Sequence, residues 1–255
     1  MRALLVRPFL LMAALGVGCG PSSEAELADA DDGVSLENDV YVDGPLGTGE
    51  AALADGTPQV VFVNFAGPVI CDAQGEDSRT NKSFAICGHF KKCGGCFDFA
   101  AYTGSDKTAI VNYLKGYFTA YKVNFTTTRP TSGNYTQLVI SPSWASNHGV
   151  AALDCDNANR NGMAYVFRTG DRFFTNIGGG VRAKGIAKAA AHELGHSFGL
   201  GHRGSPTSAS SDHMDVWSRG NVWNAGTASD HMNCVGGTGK RQDSNGLLLR
   251  NIGAR

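Results

Sequence analysis

The chain has 255 residues, of which 42% are hydrophobic and 18% charged, with a formal net charge of −1 at pH 7. That length supports one good-sized domain plus a targeting region. No apolar segment, the short N-terminal run included, is long enough to span a membrane, and the Lys and Arg residues are scattered rather than clustered, which argues against nucleic-acid binding.

Arg2 and Arg7 precede an apolar stretch from Phe9 to Val17, the pattern of a secretion signal over residues 1–18. Small residues then lead to Cys19 in LGVGCG. This resembles a bacterial lipobox, in which the cysteine is lipidated, with Gly16 standing where leucine is usual. The expected location is therefore a bacterial outer-membrane or cell-surface lipoprotein. Ordinary cleavage to a periplasmic or secreted protein is the alternative.

Residues 20–57 carry Glu24, Glu26, Asp29, Asp31, Asp32, Glu37, Asp39, Asp43, Glu50 and Asp55, with no Lys or Arg. The remainder of the chain is net basic. An acidic, small-residue segment cannot bury a core, so residues 19–57 read as a flexible tether. A pro-segment that lays Asp43 or Asp55 on the site described below is the second reading. The domain then occupies residues 58–255.

Residues 59–66 (QVVFVNFA) form an apolar, β-branched run that predicts a buried strand. Residues 71–96 are polar and cysteine-rich, a stapled loop region. Setting Cys19 aside leaves Cys71, Cys87, Cys93, Cys96, Cys155 and Cys234, six cysteines that can form three disulfides in fifteen pairings. Cys93 and Cys96 have the spacing of half a zinc site or a redox pair. No second such pair exists, and an oxidising compartment favours structural disulfides.

Over residues 105–121, Ile110, Leu114, Tyr117, Phe118 and Tyr121 fall at helical spacing, with Ser105 or Asp106 as the cap. Strands are predicted over 123–128, 135–140, 150–154 and 163–168. The dense oxygen donors of 154–162 (DCDNANRNG) could hold calcium, but the spacing departs from the EF-hand, the distal glutamate is missing, and a plain Asn/Gly turn is the favoured reading. Gly178–Gly180 is expected to be a flexible loop. The alanine run 187–191 lets the next helix, over 185–198, pack closely on a sheet. Residues 242–252 form a last short helix, with Leu247, Leu248 and Leu249 covering the core.

The most informative run is residues 192–202, HELGHSFGLGH. His192 and His196, four apart on a helix, share one face and can share a metal ion. Glu193 can take a proton from a water on that metal. Gly199 lets the chain leave the helix through a left-handed turn, which returns His202 to the same point. Three imidazoles with one open position match a catalytic zinc rather than a closed structural one. A bare HExxH arises by chance in roughly one in a hundred such chains, and requiring the glycine and third histidine lowers that by about two orders of magnitude.

This run resembles the long zinc motif of the metzincin clan of endopeptidases at every defining position. The resemblance implies zinc on His192, His196 and His202, Glu193 as general base, and a methionine in a tight turn beneath the metal. Met214, in SDHMD, is the first candidate for that methionine and Met232, in SDHMN, the fallback. A tyrosine two residues further on, present in several members, has no counterpart, since Val216 and Cys234 stand there. Arg203, after the third histidine, leaves the subfamily unassigned. His89, His148, His213 and His231 lack ligand spacing and read as surface or structural.

The implied fold class is α/β (α+β). It has a mixed twisted sheet, one long helix, a zinc-binding helix and a small C-terminal subdomain after the third histidine. The implied function is zinc-dependent endopeptidase, with an extended peptide substrate added to a sheet edge at 149–153. The alternative is a non-catalytic zinc-binding envelope lipoprotein, against which Glu193 argues, because a site that only binds needs no base. A zinc hydrolase acting on something other than protein is a third class.

Overall fold

The computed structural model describes residues 56–202, 212–214, 222–223, 228–229 and 241–255. The expectations for the signal, Cys19 and the acidic segment, and for Arg203, Val216, His231, Met232 and Cys234, lie outside these residues.

The predicted strands appear, shorter at their C-terminal ends except β6, which loses its first residue, and with β7 beginning one residue earlier than predicted. β1 (Gln59–Asn64), β5 (Val123–Thr126), β6 (Thr136–Ile140), β7 (Gly149–Ala151) and β8 (Met163–Val166) form a mixed sheet in the order β5-β1-β6-β8-β7. The first four in that order are mutually parallel, and β7 runs antiparallel to β8 at the edge. Period-two alternation divides the core in two. Val61, Val63, Leu138, Ile140, Ala164 and Val166 face one cluster. Val139, Met163 and Tyr165 face the other.

The first face is covered by helices. α2 (Lys107–Tyr117) buries Ile110 and Leu114, with Phe118 and Tyr121 just past its end. Asp106 stands at its N-cap position without a side-chain capping bond. Its carboxylate instead accepts the Tyr102 hydroxyl and lies 3.6 Å from Arg182. α4 (Arg182–Ser197) is buried at every position from Gly185 to Ser197, as a helix wedged between a sheet and its neighbours must be. The alanines of 187–191 supply the short side chains that this closeness requires. α5 (Ser244–Ile252) buries Leu247 and Leu248. Leu249, expected in the core, is 36% exposed because consecutive helical residues point 100° apart.

The second face is where sequence patterning fell short. The region read as a stapled loop holds a small sheet of β2 (Val69–Asp72), β3 (Lys82–Ser83) and β4 (Cys96–Asp98), with α1 (Ala85–Phe90) beside it. Its cysteines pair Cys71–Cys96 and Cys87–Cys93, so Cys93 and Cys96 are neither a redox pair nor half a zinc site. Cys155 is also disulfide-bonded, to a residue outside those described. Phe90, Phe97, Phe99, Tyr165 and Phe167 pack ring against ring between the small sheet and the large one, with centroids 4.2–6.0 Å apart.

Two further readings are corrected. Gly178–Gly180 is an ordered turn that closes α3 (Arg172–Ile177), a helix absent from the sequence reading. Its amides bond back to Phe174, Asn176 and Thr175. The 154–162 loop does not gather ligands for calcium. The Asp154 carboxylate accepts the Asn159 amide at 2.7 Å, the Asn159 side chain bonds Glu76 O and the Asn161 amide, and Asn161 Oδ1 accepts the Tyr135 amide. These donors and acceptors are spent on backbone, as in an Asn-rich turn. Among the described residues, no helix is long and apolar enough to cross a membrane.

Candidate metal centre

α4 carries His192 and His196 one turn apart on its buried face, and the chain after it returns His202. The Nε2 atoms of His196 and His202 lie 3.1 and 3.0 Å from Nε2 of His192. Among the described residues this is the one group of three or more His, Cys, Asp or Glu side chains gathered closely enough to hold a metal ion.

The protonation pattern follows from the partners. His192 Nδ1 lies 2.8 Å from the His213 carbonyl, and His196 Nδ1 lies 2.8 Å from the Leu200 carbonyl. A carbonyl only accepts, so each Nδ1 carries the proton and each Nε2 presents a lone pair. Burial holds both rings neutral, pushing His192 down to about 4 and His196 well below its usual value. Two neutral Nε2 lone pairs about 3 Å apart have no hydrogen to share. They repel unless a cation lies between them. Nitrogens bound tetrahedrally to one zinc at about 2.0–2.1 Å stand roughly 3.3 Å apart. The donor set therefore fits zinc in chemistry and in spacing, and the two carbonyls are the outer partners that orient such ligands.

The turn after α4 is built for this purpose. Gly199 has φ of +94°, a conformation that disfavours any side chain. A Cβ there would also overlap the Cys155 carbonyl and the Asn251 amide. The Gly199 and Leu200 amides close the helix on the His196 and Gly195 carbonyls. Two C-terminal residues fix the path to His202. Gln242, fully buried, accepts from the Gly201 amide at 2.7 Å and donates to the Gly201 carbonyl at 2.8 Å. Asn251 donates to the Phe198 carbonyl at 2.7 Å. No local motif signals either residue. The only sequence clue was that they lie in the predicted last element.

Met214 is fully buried, and a methyl group on Gly195 would overlap its sulfur. The residue therefore lies directly against the ligand-bearing helix. Asp212 forms the turn before it by accepting the Met214 amide at 2.8 Å. His213, read as surface or structural, is buried. Its ring packs against Tyr117 and Trp223, and its carbonyl holds His192.

Glu193 is fully buried, and its carboxylate faces Gly149 at the start of β7. His148, just before that strand, is buried too. It stacks on Phe173 at 4.1 Å with Nε2 3.2 Å from Asp171, and desolvation pushes it down to about 4. The edge strand expected at 149–153 is thus present as β7.

Comparison with known proteins agrees with this site. Residues 106–203 match the model of metallo-peptidase family M12B, reprolysin-like. The matched span runs from α2 through all three histidines. Among solved structures, archaemetzincin from Methanopyrus kandleri aligns with 13% identity over 78% of this chain and 98% of its own, at a TM-score of 0.34. None of the curated proteins matches the chain. The span 106–203, which holds the turn glycine and the three converging histidines, is thus similar to the reprolysin-like metallopeptidases.

Proposed function

We propose that this protein is a zinc-dependent endopeptidase, with His192, His196 and His202 as metal ligands and Glu193 as general base. The observation that carries the proposal is the convergence of three histidine Nε2 atoms, two of them on the helix that also carries the buried Glu193, on a span that matches a metallopeptidase family. Zinc in that site supplies Lewis acidity, lowering the pKa of water from about 15.7 toward 7.

Glu193 accepts the proton of the attacking water and returns a proton to the leaving amine. The buried setting strengthens its electrostatic action and limits competition from bulk solvent. β7 offers the outer edge of the main sheet beside Glu193, and an extended peptide added there would have backbone partners along the strand. His192 and His196, fixed by carbonyls, hold their donor atoms in place without reorganisation.

Met214 is the methionine beneath the metal in this reading. Residues 1–18 act as an export signal, Cys19 is the lipid anchor, and Cys155 pairs with Cys234. The acidic segment before the domain is a tether. The two disulfides already described suit an oxidising compartment.

The test is cleavage of a mixed peptide library by the zinc-loaded protein and by E193A. Cleavage that falls by about 100-fold or more in E193A, with zinc retained, supports the proposal. Equal cleavage by both forms removes Glu193 as base. Zinc binding without cleavage by the wild-type protein favours the binding-only alternative.

A further inference from the structure

Gly149 opens the edge strand, where glycine is costly unless something approaches the backbone closely. Its φ is not positive, so the backbone conformation does not require glycine. The surroundings do. A Cβ built on Gly149 would lie 2.7 Å from Glu193 Cδ and 2.9 Å from Cγ, and closer still to Oε1. All three nearest atoms belong to that one side chain. The next two strand residues, Val150 and Ala151, carry ordinary buried side chains.

Neighbouring groups keep the strand from retreating. The Gly149–Val166 pair begins the β7–β8 ladder. The His148 carbonyl accepts the Phe167 amide at 2.8 Å, and the His148 ring is clamped between Phe173 and Phe174, with Asp171 on Nε2. Any added atom at 149 therefore displaces the carboxylate rather than the backbone, since the Glu193 side chain is the softer partner.

We propose that Gly149 is a positioning residue for Glu193: the missing side chain is the space in which the carboxylate stands. This rests on the reading of Glu193 as general base. The edge strand then has two jobs, a backbone ladder on one side and a seat for the base on the other. It predicts that residue 149 tolerates no Cβ in an active protein, although the strand conformation would accept one.

The test uses the zinc-loaded full chain. G149A is expected to bind zinc as the wild type does and to keep KM within about threefold, while kcat falls by about 100-fold. The same substitution in an E193D background, where the carboxylate is already withdrawn, should cost less than about threefold. A crystal structure of G149A supplies a readout that does not depend on hydrolysis. The expected result is a Glu193 carboxylate moved by about 1 Å or more over an unmoved β7. An equal cost in both backgrounds, or an unmoved carboxylate beneath a displaced strand, overturns the proposal. A wild-type protein that cleaves nothing sinks the peptidase reading, yet the crystallographic arm still decides the positioning. If G149A alone does not fold, folding of G149A/E193A supports the overlap, and failure of that pair overturns it.

Discussion

The two faces of the central sheet solve different problems. The helical face holds α4 and the turn to His202 with contacts that support the three histidines: Gln242 and Asn251 on the turn, the His213 carbonyl on His192, Met214 against Gly195. The other face is a stapled layer of two disulfides, a small sheet and an aromatic stack, and it has no ligand of the triad. Damage to the first face should cost metal while the fold survives. Damage to the second should cost stability while the metal stays.

The largest effect is expected from G199A. A side chain at φ of +94° meets the Cys155 carbonyl and Asn251, so His202 leaves the triad. Zinc affinity measured by competition with a chelator should fall at least about 100-fold, beyond the loss typical of an outer-partner substitution. Retained affinity would show that the turn does not set the third ligand. Q242A comes next. It removes both bonds to Gly201 while leaving every ligand in the sequence, and should weaken zinc by about 10–100-fold. A loss of melting temperature with zinc affinity unchanged would assign Gln242 to packing instead.

On the stapled face, replacing Cys71 and Cys96 by serine opens a loop of 25 residues. The expected cost is about 3 kcal/mol, read as a melting temperature roughly 5–10 °C lower, with zinc stoichiometry unchanged. Zinc lost together with stability would join the two faces into one unit and break the comparison.

The remaining prediction concerns pH. Glu76 sits in the stapled layer with its carboxyl buried, Oε1 accepting the Ser83 hydroxyl at 2.7 Å, and desolvation pushes it up to about 8 from 4.5, against the lowering effect of that bond. The folded protein therefore keeps a proton that the unfolded chain releases near pH 4.5. Stability from this group falls as pH rises from about 4.5 to about 8 and is level beyond. In E76Q that part of the pH dependence should vanish, with zinc binding unaffected. A melting temperature whose slope over this window matches that of the wild type would contradict the assignment.

The same division explains what the sequence disclosed. His192 and His196 were legible because four-residue spacing on a helix is a local property, and Gly199 because a left-handed turn selects one residue type. The strands of the main sheet announced themselves as apolar runs, since both faces are covered. The stapled layer did not. Strands of two to four residues such as Lys82–Ser83 carry no periodicity, and their stability comes from disulfides whose pairing spacing cannot reveal. The supports of the site were hidden for a related reason. Gln242 and Asn251 act over separations of 41 and 53 residues, and His213 acts through its carbonyl, which every residue possesses. The calcium reading of 154–162 failed because the oxygens that suggest a metal serve equally well to close turns.

The central claim is that three imidazoles, and no sulfur, hold one zinc in an open site. X-ray absorption at the zinc edge of the full-length protein tests it most directly. The account predicts about three nitrogen neighbours near 2.0–2.1 Å with one further light atom, reduced by one imidazole in H202A. A shell containing sulfur near 2.3 Å, or a spectrum unchanged by H202A, would contradict it.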